Sequence, residues 1–376
     1  MKLSFEVSPK LIESQQRLDN ALARAYADLN TSSQDELEAI NHYARISTIG
    51  ASTRIENAQL TDIEVNWLDT ILTTDGKTTA LENNRSLIEN KLSKDRERSI
   101  EEVAGCRAML MLIYANPNDF FPLRESDIRA LHYELMSPYQ KAQQYSGVYK
   151  VQSNSVVEEN HATGARRLVF ATADPGPITN AAMKNLVDWY NETQPLNPWP
   201  LAVTCELVYR FLAIHPFQDG NGRLGRGLFL LSLLQSKSET LAFVARYLAI
   251  DRCIEKNKEE YYMVLNRCSD GQFKQDPHEY KLEYFLQYMT KIMLEAIELI
   301  TILKKRFQAE QNLSPTAHQV LQCFRDFPEI RLGVGQITDQ TSIPRRTATY
   351  ALASLLEAGL IQKYGQGAGT KYQLTF

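Results

Sequence analysis

The stretch Ile214-His-Pro-Phe-Gln-Asp-Gly-Asn-Gly-Arg-Leu-Gly-Arg226 is the most informative part of this 376-residue chain. Apolar residues at helical spacing precede it over 203–212, and a nearly continuous apolar run follows it over 228–234. We therefore predict a loop between two buried helices, with the second helix beginning inside the motif. A helix N-terminus binds anions, because its free N–H groups and its dipole both face them.

Glycines and arginines give this loop the chemistry of a phosphate site. Gly220 and Gly222 allow the backbone to come within hydrogen-bonding distance of phosphate oxygens. Arg223 and Arg226 add charged donors, which bind phosphate more strongly than neutral ones. The loop is therefore predicted to bind a phosphorylated ligand.

Two further residues of the loop indicate a reaction as well as binding. Asp219 would repel a bare phosphate unless a cation lies between them, so an aspartate beside a phosphate implies Mg²⁺. His215 is the one group here that takes up a proton near pH 7. The motif thus combines a base, a cation site and an anion site.

Other nucleotide motifs also use closely spaced glycines. Gly220-x-Gly222-x-x-Gly225 matches the dinucleotide fingerprint, but that fingerprint follows a strand, and here a helix precedes it. A Walker A loop requires Lys-Ser/Thr where this chain has Arg226-Gly227. An ordinary helix–loop–helix turn is the remaining alternative, although it rarely collects so many functional residue types.

The same stretch resembles the signature of the Fic-domain family, HxFx(D/E)GNGRxxR, at every defined position. The matching residues are His215, Phe217, Asp219, Gly220, Asn221, Gly222, Arg223 and Arg226. The resemblance implies a mainly α fold with a Fic-type helical core. It also implies a β-hairpin flap over 147–172, with its turn at His161-Ala-Thr-Gly164.

Proteins of this family mostly transfer AMP from ATP to a protein hydroxyl. The resemblance implies a protein adenylyltransferase that uses ATP and Mg²⁺, with His215 as general base for a Ser, Thr or Tyr hydroxyl and Asp219 as the metal ligand. Transfer of phosphate or phosphocholine stays open within the same fold. The implied ATP-binding residues are Gly220, Asn221, Gly222, Arg223, Leu224, Gly225, Arg226 and, from a weaker resemblance over 255–262, Asn257 and Tyr261.

A second stretch, Ser52-Thr-Arg-Ile-Glu-Asn57, resembles the family's inhibitory motif (S/T)xxxE(G/N) through Ser52, Glu56 and Asn57. The resemblance implies that Glu56 pairs with Arg226 and holds ATP in a non-productive pose. A carboxylate and a phosphate compete for one guanidinium, so this is physically reasonable. Some relatives use this glutamate to remove AMP instead, and the sequence leaves that direction open. The alternative is a solvated glutamate beside Arg54.

The last part of the chain has the element order of a winged helix. Helical patterns over 316–324 and 336–340 come first, and Ser342 is predicted to be the N-cap of a third helix that Gly359 stops. Apolar alternation over 360–374 then predicts a hairpin. Helix, helix, helix and hairpin form a winged helix.

This segment supports a rival function, that of a DNA- or protein-binding regulator. Arg345, Arg346 and Thr347 would begin the recognition helix, and Lys363 and Lys371 would flank the wing. Six Lys/Arg against four Asp/Glu over the final segment give only +2, which is a small charge for a DNA-binding surface. Both kinds of partner stay open.

We divide the chain into an N-terminal helical segment (1–95), a Fic catalytic core (96–310) and a winged-helix domain (311–376). A capping box formed by Thr61 and Glu64 begins one of the N-terminal helices. Five scattered cysteines, a net charge of −4 and the lack of a long apolar run indicate a cytoplasmic protein without a membrane partner. A homodimer is left open.

Overall fold

The computed structural model describes residues 2–74, 77–92, 96–159, 166–328 and 330–376. The predicted flap turn with His161 and Gly164 lies outside the described residues. Within them the chain is mainly helical, so the predicted fold class is confirmed.

Three helices with well-formed caps begin the chain. Leu11 N–H donates to Ser8 Oγ, and Glu36 N–H donates to Ser33 Oγ. The predicted capping box is confirmed, since Glu64 N–H donates to Thr61 Oγ1 and Thr61 N–H donates to the Glu64 carboxylate. The elements of this part are α1 (Pro9–Asn30), α2 (Gln34–Ile55), α3 (Asp62–Ile71), β1 (Thr73–Thr74), β2 (Lys77–Thr78) and α4 (Leu81–Lys91).

Among the residues that the structure describes, nine further α-helices and one antiparallel hairpin form the central part of the molecule. None of the helices within the described ranges is long and apolar enough to cross a membrane. The hairpin consists of β3 (Val156–Glu159) and β4 (Arg166–Phe170). The helices are α5 (Glu97–Ala115), α6 (Glu125–Met136), α7 (Pro177–Thr193), α8 (Pro200–Ile214), α9 (Asn221–Leu234), α10 (Glu239–Ala245), α11 (Ile250–Lys256), α12 (Lys258–Arg267) and α13 (Glu283–Gln311).

Helices α8 and α9 lie at the centre of the core, and the signature loop joins them. Almost every side chain of both helices is buried, as the apolar runs in the sequence predict. Glycines on α9 allow close packing against α8 and α5. A Cβ at Gly225 would lie 2.9 Å from Leu212, and one at Gly227 would lie 2.8 Å from Met109 of α5.

His132 of α6 packs against the signature loop and hydrogen-bonds to it. Its fully buried ring stacks on Phe217, with ring centroids 3.8 Å apart. Its Nδ1 accepts from Gly147 N–H at 2.8 Å, so Nε2 carries the proton and donates to the Asp219 carbonyl at 2.9 Å. The loop is therefore held by contacts from an element more than 80 residues away in the sequence.

The C-terminal elements have a hydrophobic core of their own, which Ile63 of α3 joins. The three strands form one antiparallel sheet in the order β5-β7-β6. The elements are α14 (Pro315–Asp326), β5 (Leu332–Gly333), α15 (Val334–Thr341), α16 (Arg345–Glu357), β6 (Ile361–Tyr364) and β7 (Lys371–Leu374).

The predicted role of Ser342 is wrong. Ser342 adopts a left-handed conformation (φ 57°), and its N–H donates to Thr338 O, so it ends α15. Helix α16 begins after Pro344. Helical geometry is disfavoured at a residue that precedes proline, so Ile343 opposes a helix that would start directly after Ser342.

The end of the chain is attached to both α2 and α13. Phe376 packs edge-on against Tyr43 of α2, with ring centroids 5.9 Å apart. Arg306 of α13 donates to Thr375 O at 2.9 Å, and Arg325 pairs with Glu310 at 2.7 Å. The C-terminal elements thus contact the helix that carries Glu56 at its end.

Burial lowers the pKa of His132 to about 4 in the folded chain, against an ordinary value of 6.5. Between these values the unfolded chain binds more protons, so the free energy of unfolding falls as the pH falls from 6.5 towards 4. At pH 5 the contribution of His132 has lowered the free energy of unfolding by about 2 kcal/mol.

We predict that His132→Gln reduces the difference in unfolding free energy between pH 7 and pH 5 by about 2 kcal/mol. Urea denaturation at both pH values measures it, and the comparison within each protein cancels any overall destabilisation. An equal difference in wild type and variant would contradict the neutral, buried state of His132.

Candidate active site

A cavity of about 270 Å³ opens at the signature loop. The loop and the start of α9 form one wall, and Glu56 approaches from the end of α2. Tyr261 and Tyr262 of α12 form another wall. The signature residues that line the cavity are His215, Asp219, Gly220, Asn221, Gly222, Arg223 and Arg226.

His215 is held with one ring nitrogen available. It follows the last residue of α8 in a left-handed conformation (φ 53°). Its Nδ1 lies 3.2 Å from Leu212 O, and because a carbonyl only accepts, Nδ1 carries the proton and Nε2 keeps its lone pair. Burial lowers the pKa of His215 to about 4, so the ring is neutral at pH 7 and Nε2 is unprotonated.

The start of α9 presents backbone donors. Gly220 precedes the helix with φ 80°, a value that glycine adopts readily. The first intrahelical bond runs from Leu224 N–H to Gly220 O, so the N–H groups of Asn221, Gly222 and Arg223 belong to the open end of the helix.

The side chain of Asn221 is engaged within the loop itself. Its Oδ1 accepts from Phe217 N–H at 2.9 Å, and its Nδ2 donates to Phe217 O at 2.7 Å. Because the Asn221 side chain is fully buried, these two hydrogen bonds to the backbone of one residue fix the shape of the loop. The backbone N–H of Asn221, at the open end of α9, is the donor that this residue can offer to a ligand.

Asp219 is ionised and half-exposed. Burial raises the pKa of its carboxyl, but the Arg223 guanidinium, the Gly220 N–H and Arg98 together outweigh burial, and the pKa lies below its ordinary value. Gly220 N–H donates to Oδ1 at 2.6 Å, and Arg98 of α5 donates to Oδ2 at 3.1 Å. Arg98 also covers the ring of Tyr139.

The donor set at Asp219 suits Mg²⁺ in one specific way. Within the described ranges, no three His, Cys, Asp or Glu side chains converge to form a metal cage. Mg²⁺ usually takes one or two carboxylates and completes its shell with water and substrate phosphates. A single aspartate at the mouth of an anion site fits that arrangement.

Arg223 lies under the loop as a buried cation with spare hydrogen-bonding capacity. Its Nη2 lies 3.4 Å from Asp219, and its Nη1 lies 3.8 Å from Glu102. Its Nε is buried and has no hydrogen-bond partner in the part of the chain that the structure describes. A buried donor without a partner costs free energy, which a polar ligand in the cavity can recover.

Arg226 contacts the end of α2. Its Nε donates to Ser52 Oγ at 2.9 Å, and its Nη2 donates to Ser52 O at 2.7 Å and to Glu56 Oε1 at 3.0 Å. Burial would lower the pKa of Arg226, but the carboxylates of Glu56 and Asp251 outweigh it and raise the pKa above its ordinary value. Glu56 and Arg226 therefore form an ion pair inside the cavity.

The geometry of Glu56 depends on two small or permissive positions. A Cβ at Gly222 would lie 2.2 Å from Glu56 Oε1, so the carboxylate fits only against glycine. Asn57 is left-handed (φ 75°), and Ala58 N–H donates back to Thr53 O, which closes the end of α2. The Gly/Asn preference of the inhibitory motif thus has a conformational reason.

An ion network fixes the same end of α2 from outside the cavity. Arg54 donates to both carboxylate oxygens of Glu255, at 2.6 and 2.9 Å, and pairs with Asp62 at 2.8 Å. Arg252 pairs with the other oxygen of Asp62 at 2.7 Å. Arg54 is therefore engaged by α3 and α11 and leaves Glu56 to Arg226.

Three of the sequence-predicted nucleotide residues lie away from the cavity surface. Leu224 is fully buried in the core, and Gly225 packs on Leu212. Asn257 donates to Cys253 O at 2.9 Å and lies 3.4 Å from Glu295. Tyr261, by contrast, is buried and lines the cavity.

Sequence reasoning missed three residues that shape the site: Arg98 contacts Asp219, and His132 and Lys150 hold the loop. Because these side chains come from elements far from the motif, no local spacing identifies them.

Comparison with known proteins shows which family this chain resembles. The Fic/DOC family model matches residues 122–233. The chain is 26% identical over 207 residues to the protein adenylyltransferase Fic of Aedes aegypti, covering 53% of this chain and 36% of that protein. It is 30% identical over 122 residues to a Fido domain-containing protein of Dictyostelium discoideum, covering 30% of this chain and 82% of that protein.

A solved structure shares the fold over the whole chain. A Fic family protein from Desulfovibrio desulfuricans G20 is similar with a TM-score of 0.56 at 21% identity, covering 100% of this chain and 98% of that one. The chain spans little more than a third of the length of the mosquito adenylyltransferases it matches. The signature loop, the helices around it and these similarities lead to one conclusion: the chain belongs to the Fic/DOC family.

Proposed function

We propose that the protein is an adenylyltransferase that transfers AMP from ATP to a Ser, Thr or Tyr hydroxyl of a target protein and of itself. The observation that carries the proposal is the position of His215. A neutral imidazole with a free Nε2 shares one cavity with an open helix N-terminus and two buried arginines. Adenylyltransferase relatives at modest identity support the same reaction.

In this reaction the target hydroxyl attacks the α-phosphorus of ATP. The new bond joins the hydroxyl oxygen to that phosphorus, and the bond from phosphorus to the α,β-bridging oxygen breaks, so pyrophosphate leaves. His215 Nε2 takes the hydroxyl proton. Charge develops on the phosphate oxygens, where fixed donors stabilise it most.

We infer a division of labour among the remaining residues. The N–H groups of Asn221, Gly222 and Arg223 bind phosphate oxygens at the helix end. The guanidinium groups of Arg223 and Arg226 bind the β- and γ-phosphates. Asp219 would hold Mg²⁺, which neutralises phosphate charge when bound. Tyr261 and Tyr262 enclose the nucleotide.

The transferred group can be identified with labelled ATP. We predict that the purified protein retains label from α-³²P-ATP and none from γ-³²P-ATP, and that His215→Ala lowers the rate about 10²- to 10⁴-fold, the usual contribution of a general base. His318→Ala, which changes an exposed histidine, is the control. Retention of the γ label would replace AMP transfer with phosphate transfer.

We propose further that Glu56 inhibits the enzyme. The ion pair with Glu56 uses the guanidinium that the γ-phosphate requires, and the carboxylate lies on Gly222 at the helix end. A bound triphosphate must therefore displace Glu56 or adopt another pose. Removal of AMP from a modified protein is the alternative use of the same carboxylate.

Glu56→Gly tests the inhibition. We predict an increase in self-labelling from α-³²P-ATP of about tenfold to a hundredfold, the equivalent of one charge-assisted hydrogen bond. Glu38→Gly, at an exposed position of the same helix, controls for the effect of glycine in α2. Equal labelling of both variants would refute inhibition by Glu56, and loss of AMP release would support the removal activity.

A second candidate function concerns the C-terminal segment, which we infer to be a winged-helix domain over 311–376. Arg345, Arg346 and Thr347 lie exposed at the start of α16, and Lys363 and Lys371 are exposed on β6 and β7. This arrangement suits phosphate contacts beside a groove. Segments 1–95 and 96–310 would then be the regulatory and catalytic parts.

We predict a salt-dependent gel shift with a DNA duplex, which Arg345→Ala with Arg346→Ala weakens about tenfold. The matched control is Lys10→Ala with Arg17→Ala, which removes two exposed charges from α1. If the wild type gives no gel shift at low salt, DNA binding is excluded, and binding of a protein partner remains as the function of this segment.

A further inference from the structure

Lys150 is a buried lysine beside the signature loop. The proposed reaction does not use its side chain directly. It lies between α6 and β3, and only 3% of its surface is exposed. Its Nζ donates to Asn154 Oδ1 at 2.8 Å, Thr172 Oγ1 at 3.0 Å and Ile214 O at 3.0 Å. An ammonium has three donors, so all three are satisfied.

The segment around Lys150 is attached to both sides of His215. Before His215, the Lys150 ammonium binds the last carbonyl of α8, that of Ile214. After it, Lys150 N–H donates to Pro216 O at 2.8 Å, and Asn154 Nδ2 donates to Phe217 O at 2.6 Å. A cation at a helix C-terminus is favourable, because carbonyls without intrahelical partners end there.

The three acceptors of Lys150 are uncharged groups, so its charge is not neutralised by contact. Burial lowers the pKa of Lys150 to about 8, with Asp174 opposing, and the ammonium is therefore charged at pH 7. That charge contributes to the low pKa of His215, after burial, whereas Glu56 and Asp219 act in the opposite direction. Arg223 and Arg226 line the same cavity.

We propose that Lys150 is a positioning residue that holds His215 in its left-handed turn and keeps the imidazole in its basic form. The proposal rests on the role of His215 in the proposed function. Lys150 acts through the Ile214 carbonyl and through its charge, without contact to the substrate. Its effect should therefore appear in the behaviour of His215 and in the rate of the chemical step.

The first test follows the His215 ring by NMR, without nucleotide, using the Cε1–H resonance assigned with His215→Ala. In Lys150→Met the midpoint of His215 protonation should rise, because a like charge that opposes protonation is removed. Lys184→Met removes an exposed lysine of α7 and should leave the midpoint unchanged. An unchanged midpoint in Lys150→Met would overturn the proposal.

The wild-type chain provides a measurement that needs no folded variant. As Lys150 loses its proton near pH 8, the His215 resonance should show a second inflection there. Thr172→Val removes one acceptor of Lys150 and should move that inflection while the fold remains. A flat His215 resonance through this pH range would count against any coupling of the two groups.

The second test measures AMP transfer in the Glu56→Gly background. Lys150→Met should lower kcat at least about tenfold, as expected for a misplaced base, with little change in KM for ATP. The acidic limb of kcat/KM should move to higher pH. A rise in KM alone would contradict a positioning role. If the Glu56→Gly variant itself transfers no AMP, the proposed function is wrong, and the NMR titration still tests the role of Lys150.

Discussion

The pairing of the buried Arg226 guanidinium is the interaction on which the arrangement of this molecule depends. A charge so deeply buried needs partners, because an unpaired ion in the interior is strongly destabilising. Ser52 of α2, Glu56 just after the end of α2 and Asp251 of α11 supply them. Apolar residues of α1 and α2 share the hydrophobic core with the central helices, and the pairing of Arg226 holds Glu56 inside the cavity.

The electrostatics of the cavity separate two titratable groups. Burial favours the neutral form of His215, whereas Arg223, the Gly220 N–H and Arg98 favour the charged form of Asp219. Opposite shifts of this kind are typical of sites where one group takes a proton and another stays an anion. One loop of six residues between α8 and α9 achieves both, because a helix end and buried arginines meet there.

The sequence predicted the features that depend on residues close together in the chain. The buried helices on both sides of the loop are confirmed, and so is the capping box at Thr61. The N-cap assigned to Ser342 is wrong, because Pro344 disfavours helical geometry at the residue before it. His132 and Lys150 could not be identified, since their roles arise only when distant elements pack. The asparagine at position 221 of the motif is explained by its hydrogen bond to Phe217, which the residue type alone does not reveal.

The most direct test of the account is a crystal structure of Glu56→Gly with Mg²⁺ and a non-hydrolysable ATP analogue. The account predicts γ-phosphate oxygens within hydrogen-bonding distance of Arg226 and an α-phosphate beside Nε2 of His215. A triphosphate bound away from the start of α9, or one that leaves Arg226 with its α2 partners only, would contradict it.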